Sequence, residues 1–338
     1  MKGRDLLILG AVLLVGGFAL ADTLRSDEPG VEARPTTTEP GEEGTTTVPE
    51  EEENLGREQM TPVEGAPGSI VLTQTGSCAV REFDLPTGIE LPNVVARSTC
   101  ELWAALVTFK VAVGIAEPAG DAVPFRFIDL SRRGRDLGTS EAAFGFLAWS
   151  DDGQRAAWCN GRLEGIDLEF GGARRRLDGC PAAYTLDGEI VYARGDRLYV
   201  EDRPDLQASG TITGVHYGSV DGSVAVIVEG RRIERYVDGR LTDGLDLAER
   251  FQGRLPVFSP DNCSAGFRAA DRIRILDVGC SFLGPQGALF PGHVASWAPT
   301  GEWLVVGGPA EVTFYDLVEG REPVVWPLGA AQIVWRRS

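Results

Sequence analysis

The sequence predicts an all-β fold, a β-propeller whose small sheets close into a wheel, with an N-terminal hydrophobic helix ahead of it. Three observations carry that expectation. An aromatic residue recurs at Trp103, Trp149, Tyr184, Tyr217, Phe258, Trp297 and Trp335, at intervals of 33 to 46 residues. An aspartate recurs in step with it, at Asp84, Asp129, Asp167, Asp202, Asp238, Asp277 and Asp316, each after a short apolar run. Between the two lie the same strand-like runs and turn signals in the same order. A period of roughly 40 residues with strand content is the signature of four-stranded sheets arranged radially.

The repeat that begins at Phe146 shows the unit. Phe146–Trp149 reads as a first strand, and Ser150-Asp-Asp-Gly153 as a tight reversal, because Asp and Gly accept turn geometry. Arg155–Cys159 reads as a second strand, and Asn160-Gly161 as a hairpin turn that needs positive φ. Leu163–Asp167 gives a third strand and Arg174–Leu177 a fourth, leading outward. The order returns from Tyr184 through Glu189–Ala193 to Arg197–Asp202, and from Tyr217 through Val224–Val228 to Ile233–Asp238. It returns again from Phe258 through Ser264–Phe267 to Ile273–Asp277, and from Trp297 through Trp303–Val306 to Val312–Asp316. A looser copy runs from Trp103 through Lys110–Val113 to Phe127–Asp129. The last copy is divided. Ile333–Trp335 supplies a first strand, while Ser69–Thr73 and Ala79–Asp84 supply a second and a third. Pairing them closes the ring and removes the open sheet edges. The count is then seven blades, or six if the Trp103 copy is not a full blade.

Repetition at every blade makes the aromatics wedges between neighbouring sheets rather than a ring for stacking a ligand. The third-strand aspartates are expected to accept backbone hydrogen bonds in the turns that follow them, with metal ligation as the alternative.

The strings Trp149-Ser-Asp-Asp-Gly153, Phe258-Ser-Pro-Asp-Asn262 and Trp297-Ala-Pro-Thr-Gly301 resemble the W-S-P-D-G signature of WD40-like repeats in the TolB-type propeller group. The endings Phe83-Asp-Leu85, Ile128-Asp-Leu130 and Ile166-Asp-Leu168 resemble the third strand of that pattern. The likeness extends over residues 68–338 and implies a propeller fold. The Trp103 and Tyr217 copies depart from it, and nothing resembles the additional N-terminal domain of TolB.

The flanks are not propeller-like. Residues 1–5 form a short positive N-terminus, and Leu6–Ala21 is an unbroken apolar run that would span roughly 24 Å as a helix. Lys2 and Arg4 hold their end on the cytoplasmic side and send the rest of the chain out. The run reads as a membrane anchor; the alternative is a signal peptide cleaved after Ala19-Leu20-Ala21, leaving a secreted protein. Residues 22–67 read as a disordered acidic spacer rich in Thr, Pro and Glu, with too little apolar surface to offset its ordering entropy. It contains a charge run at Glu50–Glu53 and holds about half of the net charge of −18. The propeller, 68–338, is acidic as well, which argues against nucleic-acid binding.

Six cysteines suit an exported chain. The repeat register places Cys78 and Cys159 after second strands, and Cys100 and Cys180 before the next blade's first strand. Cys78–Cys100 and Cys159–Cys180 are then the same bridge in different blades, and Cys263–Cys280 ties adjacent strands of one blade. Zinc is excluded by spacing, since there is no C-x-x-C and only His216 and His293 are available. Those two histidines are the candidates for a channel or loop site. No phosphate loop, nucleophile elbow or metalloprotease motif occurs. Ser150–Trp158 falls short of a sialidase Asp-box, and Asn262-Cys263-Ser264 fits a glycosylation sequon. The expected function is a binding platform for protein, peptide or glycan ligands. The alternative is an exported lyase or lactonase-like hydrolase working in the central channel, around calcium if it uses a metal.

Overall fold

The second strands of the repeats bury almost every residue, because each lies between two sheets. Val224–Val228 is buried throughout, as is Trp303–Gly307, and both read as continuous apolar runs. The outermost strands behave in the opposite way. Arg240–Asp246 alternates between exposed and half-buried residues and carries little apolar content. That inside-to-outside gradient is what a radial stack of sheets imposes.

The computed structural model describes residues 58–77, 79–92, 96–97, 105–106, 112–116, 125–129, 135–139, 144–150, 154–160, 164–248, 256–280 and 287–336. They form seven four-stranded antiparallel sheets. Blade 1 is Ala105–Leu106, Ala112–Ala116, Phe125–Asp129 and Arg135–Thr139. Blade 2 is Phe144–Trp149, Arg155–Asn160, Glu164–Glu169 and Arg174–Leu177. Blade 3 is Ala182–Tyr184, Ile190–Arg194, Arg197–Val200 and Arg203–Gln207. Blade 4 is Ile212–Tyr217, Val224–Val228, Arg232–Val237 and Arg240–Asp246. Blade 5 is Val257–Phe258, Ser264–Ala269, Arg272–Asp277 and Ala288–Pro291. Blade 6 is Val294–Trp297, Trp303–Gly307, Val312–Asp316 and Val324–Trp326. The Trp103 copy is therefore a full blade, and the count is seven.

Blade 7 is the clasp. Its first strand, Ala330–Arg336, comes from the C-terminal end and pairs with Ser69–Gln74, followed by Ala79–Asp84 and Ala96–Arg97. The register runs from Ser69 opposite Arg336 to Gln74 opposite Ala330, and sets Trp335 opposite Ile70. Arg336 seals it by donating to both carboxylate oxygens of buried Glu82 at 2.7 Å, and Ser69 donates to the same group at 2.6 Å.

The core is a succession of layers between neighbouring blades. Tyr184 packs with Ala157 of blade 2, Tyr217 against Val191 and Ala193 of blade 3, and Phe258 with Ile227 and Ile233 of blade 4. Trp297 packs with Ile273 and Ile275 of blade 5, and Trp335 with Phe314 of blade 6. In blades 3 to 7 the recurring aromatic is thus a wedge driven into the blade before it, while the Trp149 ring of blade 2 packs 5.2 Å from Phe170 of its own blade. Trp103 lies outside the described residues.

The aspartates share a position but not a role. Asp84, Asp277 and Asp316 accept backbone N–H groups from Thr87, Gly279, Val318 and Glu319 in the following turns, as expected. Asp167 instead pairs with Arg155, and Asp202 and Asp238 have moved past the strand into the turn itself, at positive φ.

Residues 58–67, which the sequence assigns to the spacer, lie along the groove between blades 6 and 7. Met60, Val63 and Ala66 are buried there with Phe83, Trp326 and Trp335. Met60 N–H donates to Gly88 at 2.8 Å and Val63 N–H to Leu85 at 2.9 Å, while both indoles donate back to the arm, Trp326 to Thr61 and Trp335 to Pro67. The approach at Gly88 tolerates no side chain, since a Cβ would lie 2.1 Å from the Met60 carbonyl oxygen. Residues 1–57, with the expected helix and most of the spacer, lie outside the described residues. Among the described residues no helix is long and apolar enough to cross a membrane.

Candidate functional site

The antiparallel order gives the wheel two unlike faces. One, the turn face, carries the links from first to second and from third to fourth strands. The other, the crossing face, carries the hairpins between second and third strands and the passages from blade to blade. The TolB-type turn motifs all fall on the turn face, and there neighbouring blades are stitched together.

Between blades 2 and 3 the stitch is Arg155. It holds Asp167 through two nitrogens and donates a third hydrogen bond to the Gly188 carbonyl at 2.8 Å, in the next blade's turn. Tyr184 of blade 3 donates to Asp167 at 2.8 Å, and its ring lies 5.1 Å from the Arg155 guanidinium. Hydrogen bonds to the ionised pair hold it close despite its partial burial.

Between blades 4 and 5 the stitch centres on Asn262, which is fully buried. Its φ of +57° is a conformation that Asn tolerates better than most residues. The Asn262 amide donates to the Ser223 carbonyl and hydroxyl, both at 3.0 Å. Ser223 donates to the Asp261 carbonyl at 3.0 Å, Val220 N–H donates to the Pro260 carbonyl, and Arg235 Nε donates to Asp261 at 2.9 Å. Arg235 is itself held by Asp221 at 2.5 Å. Sequence reading saw Asn262 as the last residue of a turn motif and as a sequon. Its burial between turns leaves no room for a glycan, and the legible signal was Asn standing where the other turns place Gly.

The two candidate histidines are not brought together. First strands run from the crossing face to the turn face, so His216, near the end of one, lies by the turns, and His293, just ahead of another, lies by the crossings. His216 stacks on Phe258 with ring centroids 5.0 Å apart, and its Nδ1 lies 2.7 Å from Asn262 Oδ1. The amide nitrogen of Asn262 is committed to Ser223, so Nδ1 carries the proton. His293 donates its backbone N–H to Gly307 at 2.8 Å.

Burial pushes His216 below its ordinary value, against the opposing bond to Asn262, and burial together with Arg268 lowers His293. In both cases the unfolded chain binds the proton more readily. Stability is then complete above the unfolded value of about 6.5 and is lost as pH falls through the range below it. The urea midpoint should be lower near pH ~5.5 than near pH ~7.5, and the pair His216→Asn and His293→Asn should narrow that difference. A wild-type midpoint that does not move would refute the assignment.

A cavity of about 90 Å³ opens between the turns of blades 5 and 6, lined by Ser259, Asp261, Ser264, Thr300, Glu302 and Val318 among others. Small-molecule sites usually run from about 300 Å³ upward, so this one has room for a single side-chain head group. Among the described residues no group of three or more His, Cys, Asp and Glu side chains is placed to hold a metal. The Cys159–Cys180 and Cys263–Cys280 bridges are present, with Cα atoms 5.8 and 4.9 Å apart. The first ties blade 2 to the strand that opens blade 3 on the crossing face, and the second lies on the turn face of blade 5. Cys78 and Cys100 lie outside the described residues.

No protein-family model and no curated protein matches the chain. Solved structures with a similar fold include the crystal structure of a mitotic checkpoint complex, one chain of which is 12% identical with a TM-score of 0.50, over 82% of this chain and 96% of that one. TolB from Acinetobacter baumannii is 16% identical, with a TM-score of 0.46 over 80% of this chain and 67% of that one. The Cps50 (Swd1) propeller domain of Myceliophteria thermophila is 14% identical, with a TM-score of 0.45 over 71% of this chain and 88% of that one. At these identities the likeness is one of fold. The chain is a seven-bladed β-propeller, and it shares its fold with a chain of the mitotic checkpoint complex.

Proposed function

We propose that this chain is an extracytoplasmic binding platform, held at the membrane by residues 6–21 on an acidic spacer and presenting its propeller to protein, peptide or glycan ligands. The observation that carries the reading is the stitched turn face. Arg155 reaches the turn of the next blade, and Ser223, Arg235 and Val220 reach the turn at Pro260–Asn262. Loops fixed to one another in this way form a surface that loses little entropy on binding. Two disulfides among the described residues suit an oxidising compartment outside the cytoplasm.

The full chain and a spacer control ending at residue 67 would be compared as baits in envelope extracts. The full chain is expected to enrich defined protein or glycan ligands that the control does not. Recovery of nothing beyond the control would overturn the platform reading.

A further inference from the structure

Two properties separate the faces of the wheel, and both single out the turn face. The first is charge. The first-to-second turns of blades 3 to 6 hold Asp187, Glu189, Asp221, Asp261 and Glu302 and no basic residue of their own, with Asp221 paired to Arg235 and Glu189 3.8 Å from Arg203. At the other end, the second-to-third hairpins of the same blades set Arg194, Arg197, Arg231, Arg232, Arg268 and Arg272 among Asp196, Glu229, Asp271 and Glu311, so that bases outnumber acids there.

The second property is apolar exposure. Leu186, Val220 and Val318 are 43%, 57% and 63% exposed at the tips of turns on the turn face, and Ile89 is exposed in a turn of the same face. The other large apolar side chains exposed among the described residues, Leu241, Leu289 and Val325, lie on outermost strands. Single exposed apolar residues are ordinary on any surface. Among the described residues the turn face holds four of the seven and the crossings hold none. Nothing in a turn tip requires leucine or valine, where Ser, Asn or Asp would serve the turn better.

We infer that the turn face docks a segment of a partner protein that carries both basic and aliphatic side chains. The basic groups engage Asp187, Asp261 and Glu302, and the aliphatic ones cover Leu186, Val220 and Val318. The cavity between blades 5 and 6, with Asp261 and Glu302 in its wall and Val318 beside them, accepts one guanidinium or ammonium group. Charge decides against the other occupants. A second copy would set carboxylate against carboxylate. The chain's own spacer, with Glu50–Glu53, is acidic too, and an anionic lipid surface or a nucleic acid would be repelled. The inference rests on the platform reading and gives it a ligand chemistry.

The test uses the full chain in nanodiscs of zwitterionic lipid, with the residue 1–67 spacer in matching discs as control. Fluorescent peptides alternating Arg with Leu, Arg with Ser, and Glu with Leu are titrated by anisotropy. The Arg–Leu peptide should bind at least about tenfold more tightly than the other two. Leu186→Ser with Val220→Ser and Val318→Ser should weaken it about tenfold, as should Asp187→Arg with Glu302→Arg, with melting profiles unchanged. Arg197→Glu with Arg272→Glu, on the crossing face, should leave it unaltered. If the three peptides bind alike, or only the crossing-face variant loses binding, the inference is overturned while the platform stands. If no peptide exceeds the spacer control yet envelope ligands are still captured, the inference alone fails.

Discussion

Trp335→Ala is expected to cost about 3–5 kcal/mol of folding stability, the range for removing a buried tryptophan, and to loosen the wheel at its seam. The side chain is 1% exposed. It packs edge-on against Phe314 of blade 6, and its indole donates to the Pro67 carbonyl at 2.7 Å, holding the N-terminal arm. Its backbone lies opposite Ile70 and donates to Ser296 Oγ at 3.0 Å. In the other blades a first strand is joined to its second by a short turn, so a weakened contact recloses locally. In blade 7 the two strands come from opposite ends of the described chain, and their pairing must overcome the closure entropy of the whole ring. Once open, Ala330–Arg336 and Ser69–Gln74 each present an unpaired edge, so self-association should accompany the loss. Urea unfolding followed by light scattering would show both effects. Val325→Ala, at a rim position 48% exposed, supplies the control and should change little. A Trp335→Ala protein that self-associates no more than the wild type and loses under about 1 kcal/mol would mean that the clasp does not depend on this wedge.

The clasp was legible in the sequence because the repeat has two independent markers, and both fail to complete a blade at either end unless the ends are joined. The wedge role of the aromatics and the cysteine register followed from the same beat. The arm at 58–67 was not legible. Met60, Val63 and Ala66 are three apolar residues in an acidic, proline-containing stretch, and a composition argument averages them away. What orders them is a groove supplied by Phe83, Trp326 and Trp335, distant in sequence. Outermost strands such as Arg240–Asp246 were faint for a related reason: a strand at the rim has one neighbour and water on its far side, so it needs no apolar pattern. The turn-face stitches were invisible because they consist of single polar residues whose partners lie in another blade. Asp167 is the instructive case. It keeps the beat of the repeat but answers Arg155 on the adjacent strand of its own blade and Tyr184 of the next, and no spacing rule within one blade would have named Tyr184.

Asn262 offers the sharpest separation of backbone from side-chain contributions, and Asn262→Ala should cost about 3–4 kcal/mol. Two causes add. Alanine at a φ of +57° is strained by roughly 1–2 kcal/mol. Removing the amide also leaves His216 Nδ1 without its partner in a buried site and takes one of two donors from the Ser223 carbonyl, which keeps the Gly218 N–H, at about 1–3 kcal/mol for the unmet polar group. Asn262→Gly relieves the first cause and keeps the second, so its cost should fall to about 2 kcal/mol. Asn262→Asp keeps an acceptor for His216 and a tolerance for positive φ, but sets a carboxylate oxygen against the Ser223 carbonyl. It should fall between the other two. The order Gly, Asp, Ala is the expected result in denaturant unfolding, and a glycine variant no more stable than the alanine variant would refute the backbone share. Hydrogen exchange adds a local readout. In the glycine variant the amides of 218–223 and 259–263 should exchange faster while those of Val224–Val228 keep their protection, because the stitch joins turns and not strands. The same variant tests how rigidity serves recognition. It leaves Leu186, Val220, Val318 and Glu302 in place, so any weakening of Arg–Leu peptide binding would come from loosened turns and not from a lost contact.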